Sequence, residues 1–170
     1  MMAAFEKFGG PQFISQYELL QNDGKPLTLQ WQVMVDGPNG REKMRIIPDQ
    51  YFGFGREEGE RLRFFLEADT GTMPVVRSSA KQSSLLQEIQ IYMATLKDND
   101  FKATFGIPTF TVILIVPSEE RGKHLQEVIL EQAEPVAGMF LIATNAQLLG
   151  QDPYAFSFLS GRGGRVVIWR

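Results

Sequence analysis

Three carboxylates stand out by type and spacing. Asp49 follows Pro48 at the head of an apolar stretch, and Glu67 and Asp69 close a second one, after Phe64-Phe65-Leu66. Successive side chains of a strand point to opposite faces, so Glu67 and Asp69 share a face that Leu66 and Ala68 do not. If Pro48–Thr72 is a short strand, a polar loop and a second strand paired as a hairpin, all three acids converge at one end of it. Oxygen ligands so placed suit Mg²⁺ or Mn²⁺, hard ions that keep several waters. Like charges held together also disfavour joint ionisation, so at least one carboxyl pKa should be raised without metal. Two plainer roles use the same residues. Strand-end acids commonly face water, and Asp69-Thr70-Gly71 has the composition of a side-chain-initiated turn.

The elements around these acids follow from periodicity. Phe13, Ile14, Tyr17 and Leu20 form a helical stripe within residues 10–22, with Glu18 beside it as an accessory candidate, and Asn22-Asp23-Gly24 ends it. Residues 28–35 alternate as a half-buried strand, Asp36-Gly37-Pro38-Asn39-Gly40 forms a hairpin turn, and a return strand over 42–47 delivers Asp49. Residues 61–68 give a third strand, with Leu62, Phe64 and Leu66 toward the core and Arg61, Arg63, Glu67 and Asp69 on the polar face. By parity the two arginines can neutralise the two acids. Ser78 or Ser79 caps a long helix to about Lys97, buried along Leu85, Ile89, Tyr92, Met93 and Leu96. Lys81, Ser84 and Glu88 lie on an adjacent stripe that can face the carboxylates. Asp98-Asn99-Asp100 breaks this helix.

Residues 109–116, TFTVILIV, are a nearly unbroken β-branched run, expected of a central strand covered on both sides. Ser118 caps an amphipathic helix to about Ala133. A short buried strand follows over 138–143, then a short helix from Thr144-Asn145 through Leu149, and a last edge strand over 166–169. The order is helix, three antiparallel strands, helix, strand, helix, strand. It predicts an α/β (α+β) mixed sheet flanked by helices, in the order of the restriction-endonuclease-like fold.

Composition sets the outer limits. The chain has 170 residues, 44% apolar and 22% charged, a net charge of -3, one histidine and no cysteine. That is the length of one domain, expected to span residues 1–170 without internal repeat. Disulfides and thiolate metal sites are excluded, and a structural zinc site has too few ligands. No stretch has the length of a membrane span or the pattern of a signal peptide, which predicts a cytoplasmic protein without membrane partners. An acidic chain has no broadly basic coat, so any phosphate contact must come from a local patch.

Pro48-Asp49, then Glu67-Ala68-Asp69-Thr70-Gly71-Thr72, then a helix with Tyr92, then TFTVILIVPSEER, resemble the replication-relaxation family in order and content. The resemblance covers about residues 17–149. It implies a protein of plasmids and other mobile elements that works with DNA, and with other replication proteins, in replication initiation. Members commonly carry a winged-helix region ahead of this part, for which this chain has no room. The family core is similar to the PD-(D/E)XK nucleases. By that resemblance Asp49 and Glu67 match metal ligands, while the position of the water-activating lysine holds Asp69. A carboxylate cannot replace an ammonium that offsets charge on an attacking hydroxide. A cation from the next helix is then required, with Lys81 the first candidate and Arg77 the second; Glu88 has the wrong sign. The resemblance thus leaves two expectations. One is a Mg²⁺-dependent DNA phosphodiesterase using Asp49, Glu67, Asp69 and Lys81. The other, which the displaced lysine favours, is a non-catalytic relative that binds DNA or a partner.

Overall fold

A computed structural model describes residues 13–22, 28–37, 40–55, 61–71, 85–149 and 155–168. In chain order the elements are β1 (Phe13–Ile14), α1 (Gln16–Asn22), β2 (Trp31–Gly37), β3 (Gly40–Ile46), β4 (Gln50–Gly55), β5 (Arg61–Ala68), α2 (Leu85–Lys97) and α3 (Asn99–Phe105). They continue with β6 (Thr111–Val116), α4 (Glu119–Ala133), a 3-10 turn (Glu134–Met139), β7 (Phe140–Thr144), α5 (Asn145–Leu149), β8 (Ser157–Ser160) and β9 (Arg165–Val167).

The β-branched run at β6 lies at the centre, as its composition requires. Val112, Ile113 and Val116 are wholly buried, and β6 runs parallel to β5 on one side and β7 on the other. The seven-stranded mixed sheet has the order β1-β4-β5-β6-β7-β8-β9, antiparallel at both flanks. One face carries Phe65, Val112, Leu114 and Ile142 against α2, α3 and α4. The other carries Phe52, Phe64, Leu66, Ile113, Ile115 and Phe158 against Leu148 of α5 and Phe156. The fold is therefore mixed α/β, a multi-stranded sheet flanked by helices.

Several expectations need correction. The hairpin β2–β3 is not part of a three-stranded meander: it forms a separate two-stranded sheet against α2. The antiparallel pair inside the main sheet is β4–β5, with Gln50 opposite Leu66 and Gly55 opposite Arg61. Both faces of β5 are core, because Phe65 is as buried as Phe64 and Leu66. Phe13 and Ile14 form an edge strand rather than a first helical turn, and Tyr17 is 60% exposed. Helix α1 starts at Gln16 because Ser15 and Glu18 cap it reciprocally. Glu18 accepts from the Ser15 amide at 2.9 Å and from its hydroxyl at 2.7 Å.

The segment 98–100 ends one helix by starting another. Asp98 accepts from the Phe101 amide at 2.9 Å and caps α3, which closes at Gly106 with φ of 65°. Ser118 caps α4 as its position suggests, accepting from the Arg121 amide at 3.2 Å. Strand β8, next to the short edge strand β9, adds a strand to the expected order. The expected caps Ser78 and Ser79, and Ser84, lie outside the described residues. No described helix is long and apolar enough to cross a membrane.

Candidate functional site: an acidic cluster between sheet and helix

The open end of the β4–β5 hairpin places the acids. Asp49 precedes β4, and its Oδ2 accepts from the Ala68 amide at 2.8 Å, which ties it to the end of β5. Asp69, just past β5, keeps the ladder going by donating its amide to the Ile115 carbonyl at 2.8 Å. Glu67 and Asp69 share the face that looks at α2, as parity demands, and it is a covered face. Glu67 is only 8% exposed.

Helix α2 supplies the cover. Glu88 and Tyr92 are one turn apart, so both side chains look at the same part of β5. The Tyr92 hydroxyl donates to Glu67 Oε1, and its ring packs on Phe65 at 5.6 Å between centroids. Further along, Thr95 accepts from Trp31 Nε1 at 2.7 Å. One strip of contact thus passes from an aromatic end (Trp31, Phe65) to an acidic end (Glu67, Glu88, Asp69).

Burial raises the Glu67 carboxyl to about 8. The Tyr92 hydrogen bond opposes the rise, and the charges of Glu88 and Asp49 add to it. Glu88 is raised to about 7, by burial first and then by Asp49 and Asp69. The Tyr92 hydroxyl is pushed well above its ordinary value, chiefly by burial and then by Glu67. At neutral pH Glu67 therefore holds a proton. The cause is mainly the protein roof, with like-charge repulsion second.

Asp69 has a different solution. Its Oδ1 accepts from the Gly71 amide at 2.8 Å, and Gly71 has φ of 80°, so the turn suggested by Asp69-Thr70-Gly71 is present. Its Oδ2 takes Arg121 Nε from the first turns of α4, a pair in which the aspartate side chain is 3% exposed. The sequence pointed to Arg61 and Arg63 for neutralisation; Asp69 is paired with Arg121, which the sequence did not single out. That residue closes the PSEER block, so its proximity in sequence to the central strand was the available signal. The strand's parallel register brings the end of β6 beside the end of β5.

Glu88 faces the acids as its stripe suggested. Lys81 and Arg77, the expected cationic candidates, lie outside the described residues. Glu18 closes the first turn of α1 with Ser15, so its carboxylate has a local structural role. Among the described residues no group of three or more histidine, aspartate or glutamate side chains is placed to hold a metal ion. Both oxygens of Asp69 are engaged, Oδ1 by the Gly71 amide and Oδ2 by Arg121. Asp49 and Glu67 remain as a neighbouring pair.

Comparison of the chain with protein-family models, with curated proteins and with solved structures finds no match.

Proposed function

We propose that this chain is a nuclease-like domain of the replication-relaxation kind that binds DNA, or a partner on DNA, during replication of a plasmid or mobile element, without cutting it. Support comes from the order of the PD, E-x-D-x-G-T and PSEER blocks together with one observation. Asp69, which stands where a cleaving relative has its lysine, is itself neutralised by Arg121. A cation spent on a structural carboxylate does not offset charge on a hydroxide or a phosphate. The restriction-endonuclease-like topology is part of the same proposal.

A second reading, a Mg²⁺- or Mn²⁺-dependent DNA phosphodiesterase, draws on Asp49 and Glu67 lying side by side at a strand end. In it these two carboxylates hold the ion, which would supply Lewis-acid activation of water. The three-carboxylate set does not fit it while Arg121 holds Asp69, so no step is derived through the ion.

Incubation with supercoiled plasmid and short duplexes in Mg²⁺ or Mn²⁺, with binding measured in parallel, tests the choice. The expected result is retarded but intact DNA. Nicking or cutting by the wild type that disappears in Asp49→Asn would establish the phosphodiesterase and overturn the non-cleaving reading.

A further inference from the structure

We infer that duplex DNA docks on the outer face of the β2–β3 ribbon, with Arg41, Lys43 and Arg45 as its phosphate-binding row. This rests on the DNA-associated reading above and gives it a surface.

The ribbon is a two-stranded antiparallel sheet whose inner face is anchored in the core by Trp31, Val33, Val35 and Ile46. The alternation that buries these residues turns the others outward. Gln32, Met34 and Asp36 on β2 are exposed, opposite Arg45, Lys43 and Arg41 on β3, which are exposed too. The two strands therefore turn three cations and one anion outward, and Lys97, Asp98 and Asp100 line the grooves beside Met34 and Lys43, which leaves a small positive excess in a chain whose net charge is -3. Charge on this face is opposite to that of the whole, which is what a local phosphate patch on an acidic protein requires.

Alternate residues of a strand are about 6.7 Å apart, so the row spans about 13 Å. One DNA strand carries a phosphate about every 3.4 Å of axis, so the row passes several of them. The competing partners on the strands are weak, and Asp98 and Asp100 stand across the groove from Lys43. Arg41 meets Asp36 at 3.5 Å with both side chains largely in water, and Arg45 donates to the neutral Gln30. Exposed pairs of that kind are readily exchanged for phosphate.

The shape selects the nucleic acid. A two-stranded ribbon fits the major groove of B-form DNA, about 12 Å wide, whereas that of A-form RNA is too narrow for side chains to read. Met34, 42% exposed in the middle of the face, and Gln32 beside it are the side chains able to meet a thymine methyl and an adenine edge. The return strand then leads through Pro48 straight into Asp49, so the ribbon and the acidic cluster are consecutive in the chain.

The test is fluorescence anisotropy with a labelled 20-base-pair duplex between 50 and 200 mM salt. Wild type is compared with the triple variant R41Q/K43Q/R45Q and with K123Q/R162Q/R165Q, which removes as many exposed cations elsewhere. The expected result is at least about a tenfold loss in the ribbon variant at the lower salt, with a log-affinity slope shallower by about 2 to 3. A phosphate contact contributes about 0.9 to that slope. The control variant should stay within about twofold, and circular dichroism should show both variants folded.

Wild-type affinity retained in the ribbon variant would overturn the docking face and leave the DNA-associated reading standing. Equal losses in both triple variants would overturn it in favour of bulk charge. Equal affinity for duplex RNA of the same sequence would overturn major-groove docking. A wild type that ignores DNA but binds polyglutamate would overturn both this inference and the reading beneath it, and would assign the ribbon to an acidic protein.

Discussion

The outer face of the β2–β3 ribbon and the acidic cluster at the end of β4–β5 are two hairpin sites with opposite charge and opposite solvation. On the ribbon, Arg41, Lys43 and Arg45 stand in water, where a charge costs nothing to keep and holds its partners loosely. In the cluster, Glu67 lies under Tyr92 and gives up its charge, while Asp69, its side chain 3% exposed, is paired with Arg121. Water decides the difference. Charged side chains are open to a ligand on one hairpin and committed to the protein's own structure on the other.

The sharpest way to break that contrast is pH. The folded chain holds the Glu67 proton up to about 8 and that of Glu88 up to about 7, whereas both leave an unfolded chain near 4.5. The folded state binds more protons in between, so stability is full below about pH 4.5 and falls as pH rises to about 8. Glu67→Gln keeps the shape without the titration. Its melting temperature should equal the wild type's near pH 5 and exceed it at pH 8.5, by an amount on the order of 4 kcal/mol in stability. Denaturant melts across that range check it, and parallel curves for the two proteins would mean Glu67 is ionised without penalty. A residual slope from Glu88 should remain in the variant.

Arg121→Ala comes next. Removing one partner of a buried pair leaves Asp69 uncompensated beside Glu88, with an expected loss of about 3 kcal/mol at pH 7. The same change frees Asp69 Oδ2 beside Glu88, which also feels Asp49. Millimolar Mn²⁺ should then raise the variant's melting temperature more than the wild type's, since a ligand of the native state stabilises by mass action. Equal shifts by calorimetry would show that Arg121 is not what keeps Asp69 from an ion.

The smallest effect belongs to the ribbon. R41Q, K43Q and R45Q, taken singly, should each change unfolding free energy by no more than about 0.5 kcal/mol, because the side chains are exposed. A larger loss in urea melts would mean these cations are structural, and the contrast between the hairpins would fail.

Local patterns carried much of this into the sequence. The β-branched run announced β6, Ser118 announced α4, and parity put Glu67 and Asp69 on one face with Glu88 turned toward them. What stayed hidden depends on layers and long-range partners. Alternation in residues 28–35 shows that one face is buried but not against which layer, so it does not tell a separate ribbon from a strand of the main sheet. Asp98 looks the same as a breaker and as a cap, and only the direction of the following chain separates the two. The burial of Glu67 depends on Tyr92 of another element, and Arg121 reaches Asp69 only through the β5–β6 register. Spacing within one segment does not encode either contact.

Trp31 joins the two hairpins in a way that has an optical consequence. Its indole is 7% exposed, wedged beneath the ribbon at 4.8 Å from Phe101 and 5.3 Å from Phe65, and its N–H is held by Thr95 of the helix that carries Tyr92 and Glu88. The chain has only one other tryptophan, Trp169. With that one changed to phenylalanine, a single emitter sits between the ribbon's inner face and the helix over the acids. Its emission wavelength and lifetime then register loosening on either side, without a label attached to the protein.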